Sequence, residues 1–127
     1  MEFSNDGVRD SMTGVMAPNL FYESAARLMS WSRRRDESLS IIIAETSDLD
    51  GDSIITLARG LAAELRGGDL LTRLGVWNLV LMIVGNQEAA GHLIFRLSNA
   101  VKPKVHYRAI TLDSSEELVA ALSRAGI

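Results

Sequence analysis

The sequence predicts an α/β (α+β) two-layer sandwich, a ferredoxin-like βαββαβ sheet with one further helix at each end. Three observations predict it. Arg66 to Ile83, RGGDLLTRLGVWNLVLMI, reads as a strand Leu70 to Leu74, a tight turn at Gly75-Val76 and a second strand Trp77 to Val84. The second strand is almost continuously apolar, which is the pattern of a central strand buried on both faces. On either side of this hairpin stands one strand and one amphipathic helix, and a hairpin placed between two such crossovers is the ferredoxin-like arrangement.

In chain order, Met1 to Arg9 is polar and reads as a mobile lead. Pro18 suits the first turn of a helix, and Phe21, Ala25 and Leu28 follow at i, i+4 and i+7 as one buried face. That helix ends near Arg33-Arg34-Arg35, where cations complement the helix dipole. The triple Arg reads as a solvated helix end in preference to a phosphate contact. Leu39 to Thr46, LSIIIAET, is apolar and β-branched, a buried strand. Asp50 or Asp52 caps the next helix, whose inward stripe is Ile54, Ala58, Leu61, Ala62 and Leu65. The acidic run Asp48 to Asp52 is not a calcium loop, because its Gly is misplaced and Arg59 stands where the twelfth-position Glu would be. Gly67 and Gly68 read as turn residues after that helix. Asn86 caps a helix with Ala90, Leu93, Ile94, Leu97 and Val101 inward. Pro103 precedes a strand Val105 to Leu112, and Ser114-Ser115-Glu116-Glu117 is a capping box for a last helix with Leu118, Ala121 and Leu122 inward.

Length and composition bound the function. At 127 residues the chain is expected to be one domain, 1–127. A net charge of -3 argues against a nucleic-acid partner, whose phosphates need a basic surface. There is no cysteine, hence no disulfide and no thiolate metal site. The longest apolar run, Leu79 to Val84, is too short to span a bilayer, and the first residues lack a signal-peptide pattern, so a cytoplasmic protein without membrane insertion is expected. His92 and His106 have no obvious third ligand and read as structural or exposed residues.

Two stretches carry a resemblance. Arg66-x-x-Asp69, the five-residue spacer Leu70 to Leu74 and the turn glycine Gly75 after Arg73-Leu74 form one; Asp10-Ser11-Met12-Thr13-Gly14-Val15 followed by Phe21 forms the other. Together they resemble GGDEF domains, the diguanylate cyclase fold of bacterial second-messenger signalling. Those domains open on Asp-x-Leu-Thr-Gly-Leu and a later Phe, and carry Arg-x-x-Asp ahead of Gly-Gly-Asp/Glu-Glu-Phe on a hairpin turn. The similarity runs nearly the full length, although active cyclases continue with a closing strand where this chain reaches Gly126-Ile127. Ala17-Pro18 replaces the family's Asn-Arg. The signature is degenerate: its slots hold Gly75, Val76, Trp77, Asn78 and Leu79. Gly67-Gly68-Asp69 imitates its first half, but in the wrong register to the apolar strand. The two metal-binding aspartates of the family correspond to Glu45 and Ser47, and the segment that holds the guanine of GTP is replaced by Asp48-Leu49-Asp50-Gly51-Asp52.

Joining two GTP molecules needs metal ions on the phosphates and carboxylates to hold those ions. With Trp77 at the acidic slot, no catalytic residue, no metal and no cofactor are expected, and the chain is not expected to be an enzyme. The family's inhibitory site is different. An Arg fork can donate two hydrogen bonds to the O6 and N7 edge of guanine or grip a phosphate, and a neighbouring carboxylate can accept from guanine's N1–H. The resemblance therefore implies a cyclic di-GMP receptor or effector binding through Arg66 and Asp69, with Arg73 as a further cation, and implies a homodimer or partner protein. Arg66 read alone has a plainer account, satisfying helix-end carbonyls and pairing with Asp69. The alternative function is a nucleotide-free protein-interaction or dimerisation scaffold, marked by an exposed apolar patch at Trp77 or Trp31.

Overall fold

The computed structural model describes residues 7–46, 51–100 and 105–127. In order they form α1 (Pro18–Arg35), β1 (Leu39–Thr46), α2 (Gly51–Glu64), β2 (Leu70–Thr72), β3 (Asn78–Val84), α3 (Gln87–Ala100), β4 (Val105–Thr111) and α4 (Leu118–Arg124). The four strands make one antiparallel sheet in the order β2-β3-β1-β4, the ferredoxin-like order expected from the hairpin between two crossovers.

β1 and β3 are the central pair, aligned from Leu39↔Val84 to Glu45↔Asn78. Their continuous apolar runs are needed because both faces of the sheet are covered. On one face Ile42, Ala44, Leu79, Leu81 and Ile83 meet Ile54, Leu57, Ala58 and Leu61 of α2 and Ala90, Leu93 and Leu97 of α3. On the other, Leu39, Ile41, Ile43, Val80 and Met82 meet Phe21, Ala25 and Met29 of α1 and Ala121 and Leu122 of α4. Two layers thus describe the βαββαβ unit, and the terminal helices add a third. In α2 the stripe shifts: Leu57 is buried, while Ala62 is exposed and Leu65 half-buried.

Several local expectations change. β2 stops at Thr72 and β3 starts at Asn78, so the connection spans residues 73–77 and is wider than a two-residue turn. The cause is Arg73, whose side chain turns inward and draws the loop carbonyls onto itself: Nε donates to Gly75 O at 3.2 Å and Nη2 to Val76 O at 2.9 Å. The lead is anchored from Gly7 onward. Ala17 N–H donates to Val8 O at 2.8 Å, and Met16 bridges both Arg9 and Thr72 at the edge of β2. Arg33, Arg34 and Arg35 are exposed at the end of α1 as expected, and Arg33 in addition donates to the carbonyls of Ser114 at 2.8 Å and Glu116 at 3.0 Å, tying the α1 end to the β4–α4 connection. The capping box does not form at α4, whose N-cap is Glu117 without a side-chain bond. Glu116 instead accepts from the Asp113 N–H at 3.2 Å and pairs with Arg124 at 2.8 Å. Asn86 does cap α3, accepting from the Ala89 N–H at 3.1 Å. Asp52 lies inside the first turn of α2; Asp48, Asp50, Val101 and Pro103 lie outside the described residues.

β4 is an edge strand. Leu112 N–H donates to Leu39 O, so by antiparallel alternation Thr111 and Ala109 direct their backbone groups away from β1. Both outward carbonyls are taken by side chains, Thr111 O by Arg124 at 2.8 Å and Ala109 O by Gln87 at 3.5 Å.

Candidate functional site

Arg66 and Asp69 bracket the Gly67-Gly68 turn between α2 and β2. Gly68 has φ +95°, a backbone conformation open to Gly at little cost. The turn closes from both directions: Asp69 N–H donates to Arg66 O at 3.1 Å, and Asp69 Oδ2 accepts from Arg66 N–H at 3.0 Å. The carboxylate is therefore oriented by backbone, and the exposed Arg66 side chain is not spent on pairing with it. Both residues line a cavity of about 200 Å³ floored by Ile83, Val84, Ala89 and Leu93, with His92 and Arg96 from α3 on its lip. Arg96 makes a loose pair with Glu64 at 3.7 Å, an exposed contact of small energetic weight. Sequence reasoning missed Arg96. The available signal was its position one helical turn beyond His92 and three residues beyond Leu93, on the flank of the buried stripe.

Arg73 does not join this group, which corrects its expected role as a ligand cation. Its side chain is 0% exposed and forms an ion pair at 3.1 Å with Asp10, also 0% exposed. Asp10 Oδ2 in turn accepts from the N–H of Thr13 at 2.9 Å and its hydroxyl at 2.6 Å. The Asp-x-x-Thr turn and the hairpin are thus two halves of one buried polar network, satisfied largely within the chain as burial of charge requires.

Residues 75–79, the slots compared above with the signature, lie in the connection before β3 and at its start. Trp77 is half-buried against the α2–α3 side of the core, and its carbonyl accepts from Thr46 N–H at 3.1 Å. An added Cβ at Gly75 would come within 2.8 Å of Asn78 Nδ2, so a side chain there requires the Asn78 amide to shift. Leu79 is fully buried. Glu45, which stands at the corresponding end of β1 beside Asn78, holds Arg108 Nη2 at 2.8 Å. That guanidinium also donates through Nε to Ala125 O at 3.2 Å. Among the described residues no three His, Asp or Glu side chains converge as a metal site, and no helix is long and apolar enough to cross a membrane. Ser47 lies outside the described residues.

A four-stranded antiparallel sheet in the order β2-β3-β1-β4 with helices on both faces defines a ferredoxin-like α+β fold. No family model and no curated protein matches the sequence. Solved structures match its fold. The diguanylate cyclase SiaD of Pseudomonas aeruginosa, in complex with its activator SiaC, superposes with a TM-score of 0.81 at 19% identity, over 92% of this chain and 54% of that one. The chain thus spans about half the length of SiaD. A sensory box/GGDEF family protein from Caulobacter crescentus gives 0.80 at 19% identity, over 92% of both chains. The GGDEF domain of DgcB from Caulobacter crescentus, in complex with c-di-GMP, gives 0.81 at 10% identity, over 98% of this chain and 88% of that one. The fold is that of GGDEF domains.

Proposed function

We propose that this chain is a catalytically silent GGDEF domain that binds cyclic di-GMP at the Arg66–Asp69 turn and acts as a receptor. One observation carries the reading: Asp69 is oriented by the Arg66 backbone, and Arg66 is left exposed on the rim of a cavity that also draws Arg96 and His92 from α3. Guanidinium groups and a fixed carboxylate around an apolar floor suit a guanine edge and its phosphodiester. Loss of cyclase activity is supported by Trp77 at the acidic signature slot and by the commitment of Glu45 to Arg108, since phosphoryl transfer needs carboxylates available to a metal ion. Cyclic di-GMP in the DgcB structure is a property of that relative, consistent with this ligand class. The scaffold alternative was to be marked by Trp77 or Trp31, but Trp77 packs on the core and Trp31 lies under Arg35 at 5.4 Å. The test is calorimetric titration of cyclic di-GMP into wild type and Arg66→Ala, with GTP and magnesium as control. Saturable heat lost in Arg66→Ala is expected; no heat with wild type refutes the proposal.

A further inference from the structure

A second cavity, of about 300 Å³, opens on the other side of the same turn. Its walls are the Thr13–Met16 segment, the outer face of α2 and the start of β2. Asp69 lines both cavities. The floor is apolar and low. Ala58 and Ala62 lie one helical turn apart, with Leu65, Leu71 and Val15 beside them, so nothing longer than a methyl group rises from the helix between the two alanines. Arg59 and Arg9 stand on the rim. Arg59 is exposed, and Arg9 is steadied by donating to Gly14 O at 2.8 Å. A protein of net charge -3 thus gathers Arg9, Arg59, Arg66 and Arg96 around one turn.

We infer that this cavity is a second nucleotide lobe of the Arg66–Asp69 site, taking a purine base flat on Ala62 and Leu65, above the buried Ala58 and Leu71, and its phosphate on Arg59. The inference rests on the function proposed above and adds to it a ligand-bearing surface on α2. Flat apolar floors suit aromatic rings because the contact is made over a whole π-face, and guanidinium groups at the rim suit the attached phosphodiester. The chemistry required is that of an anion with a planar aromatic body, which a dinucleotide supplies twice. Asp69, oriented by the Arg66 backbone, lies where it can accept from a base in either lobe.

The test compares cyclic di-GMP affinity by calorimetry in wild type, Arg66→Ala, Arg59→Ala, Ala62→Trp and the control Ala62→Ser, each first shown to be folded by its thermal transition. Ala62 is exposed, so Trp there fills the lobe without entering the core. Expected are loss of binding in Arg66→Ala, weakening of roughly tenfold in Arg59→Ala and in Ala62→Trp, and wild-type affinity in Ala62→Ser, since one stacked base or one charge-assisted contact is of that order. Wild-type affinity in both Arg59→Ala and Ala62→Trp, with binding still lost in Arg66→Ala, overturns the second lobe and leaves the first site standing. Absence of binding by the wild-type chain overturns both.

Discussion

Replacing Asp10 with Ala would remove the carboxylate that the Arg73 guanidinium pairs with inside the fold. Both side chains are 0% exposed and 3.1 Å apart. Removing one member of such a pair costs about 3–5 kcal/mol, because the remaining charge stays desolvated. Against the roughly 5–15 kcal/mol that stabilises a domain of this size, that is about a fifth or more of the total. The Asp10 carboxylate also holds the Thr13 N–H and hydroxyl, so the N-terminal turn loosens with it. Urea denaturation followed by the fluorescence of Trp31 and Trp77 measures the loss. The double variant Asp10→Leu/Arg73→Met removes both charges together and is expected to be more stable than Asp10→Ala. A loss below about 1 kcal/mol in Asp10→Ala, the range of an exposed pair, would refute the reasoning. Because Arg73 is occupied inside the fold, Arg73→Met, assayed under conditions where it is folded, is expected to leave cyclic di-GMP affinity unchanged.

Two further outcomes follow from the structure. Arg124, first by its hydrogen bond, holds the Glu116 carboxyl below its ordinary value of 4.5; a depressed carboxylate stabilises the fold above that ordinary value, and the gain is lost as pH falls through the lowered one. Thermal melts across the acid range are therefore expected to fall more steeply for wild type than for Glu116→Gln, and parallel curves would contradict this. Trp77→Glu restores an acidic signature residue yet is expected to produce no cyclic di-GMP from GTP and magnesium, since Glu45 remains bound to Arg108; chromatographic detection of product would show that the pairing yields to a metal.

The sheet was legible in the sequence because its signals are local and redundant. β1 has the expected bounds, Leu39–Thr46, and β3 differs by one residue, as their β-branched and apolar runs have no other stable home. The Arg66–Asp69 turn was equally legible, since both residues and the two glycines lie within four positions. What escaped were contacts between distant residues. Nothing near Arg73 announces that Asp10, 63 positions away, will take its charge, and an Arg after an apolar strand reads the same whether it points to a ligand or inward. Arg33 was hidden for the same reason, its partners lying more than 80 residues away. The α4 cap failed because the helix begins only at Leu118, after the whole Ser-Ser-Glu-Glu string, with Glu117 as an N-cap that makes no side-chain bond, while Glu116 pairs with Arg124.

The occupied carbonyls of β4 bear on solubility. An unpaired sheet edge is a template on which a strand from another chain can nucleate. Here Thr111 O is already held by Arg124 and Ala109 O by Gln87, so an incoming strand must first displace a guanidinium and an amide to begin pairing at that end. The edge is guarded by side chains from two different helices, and a variant such as Arg124→Ala exposes the chain to self-association before it loses its fold.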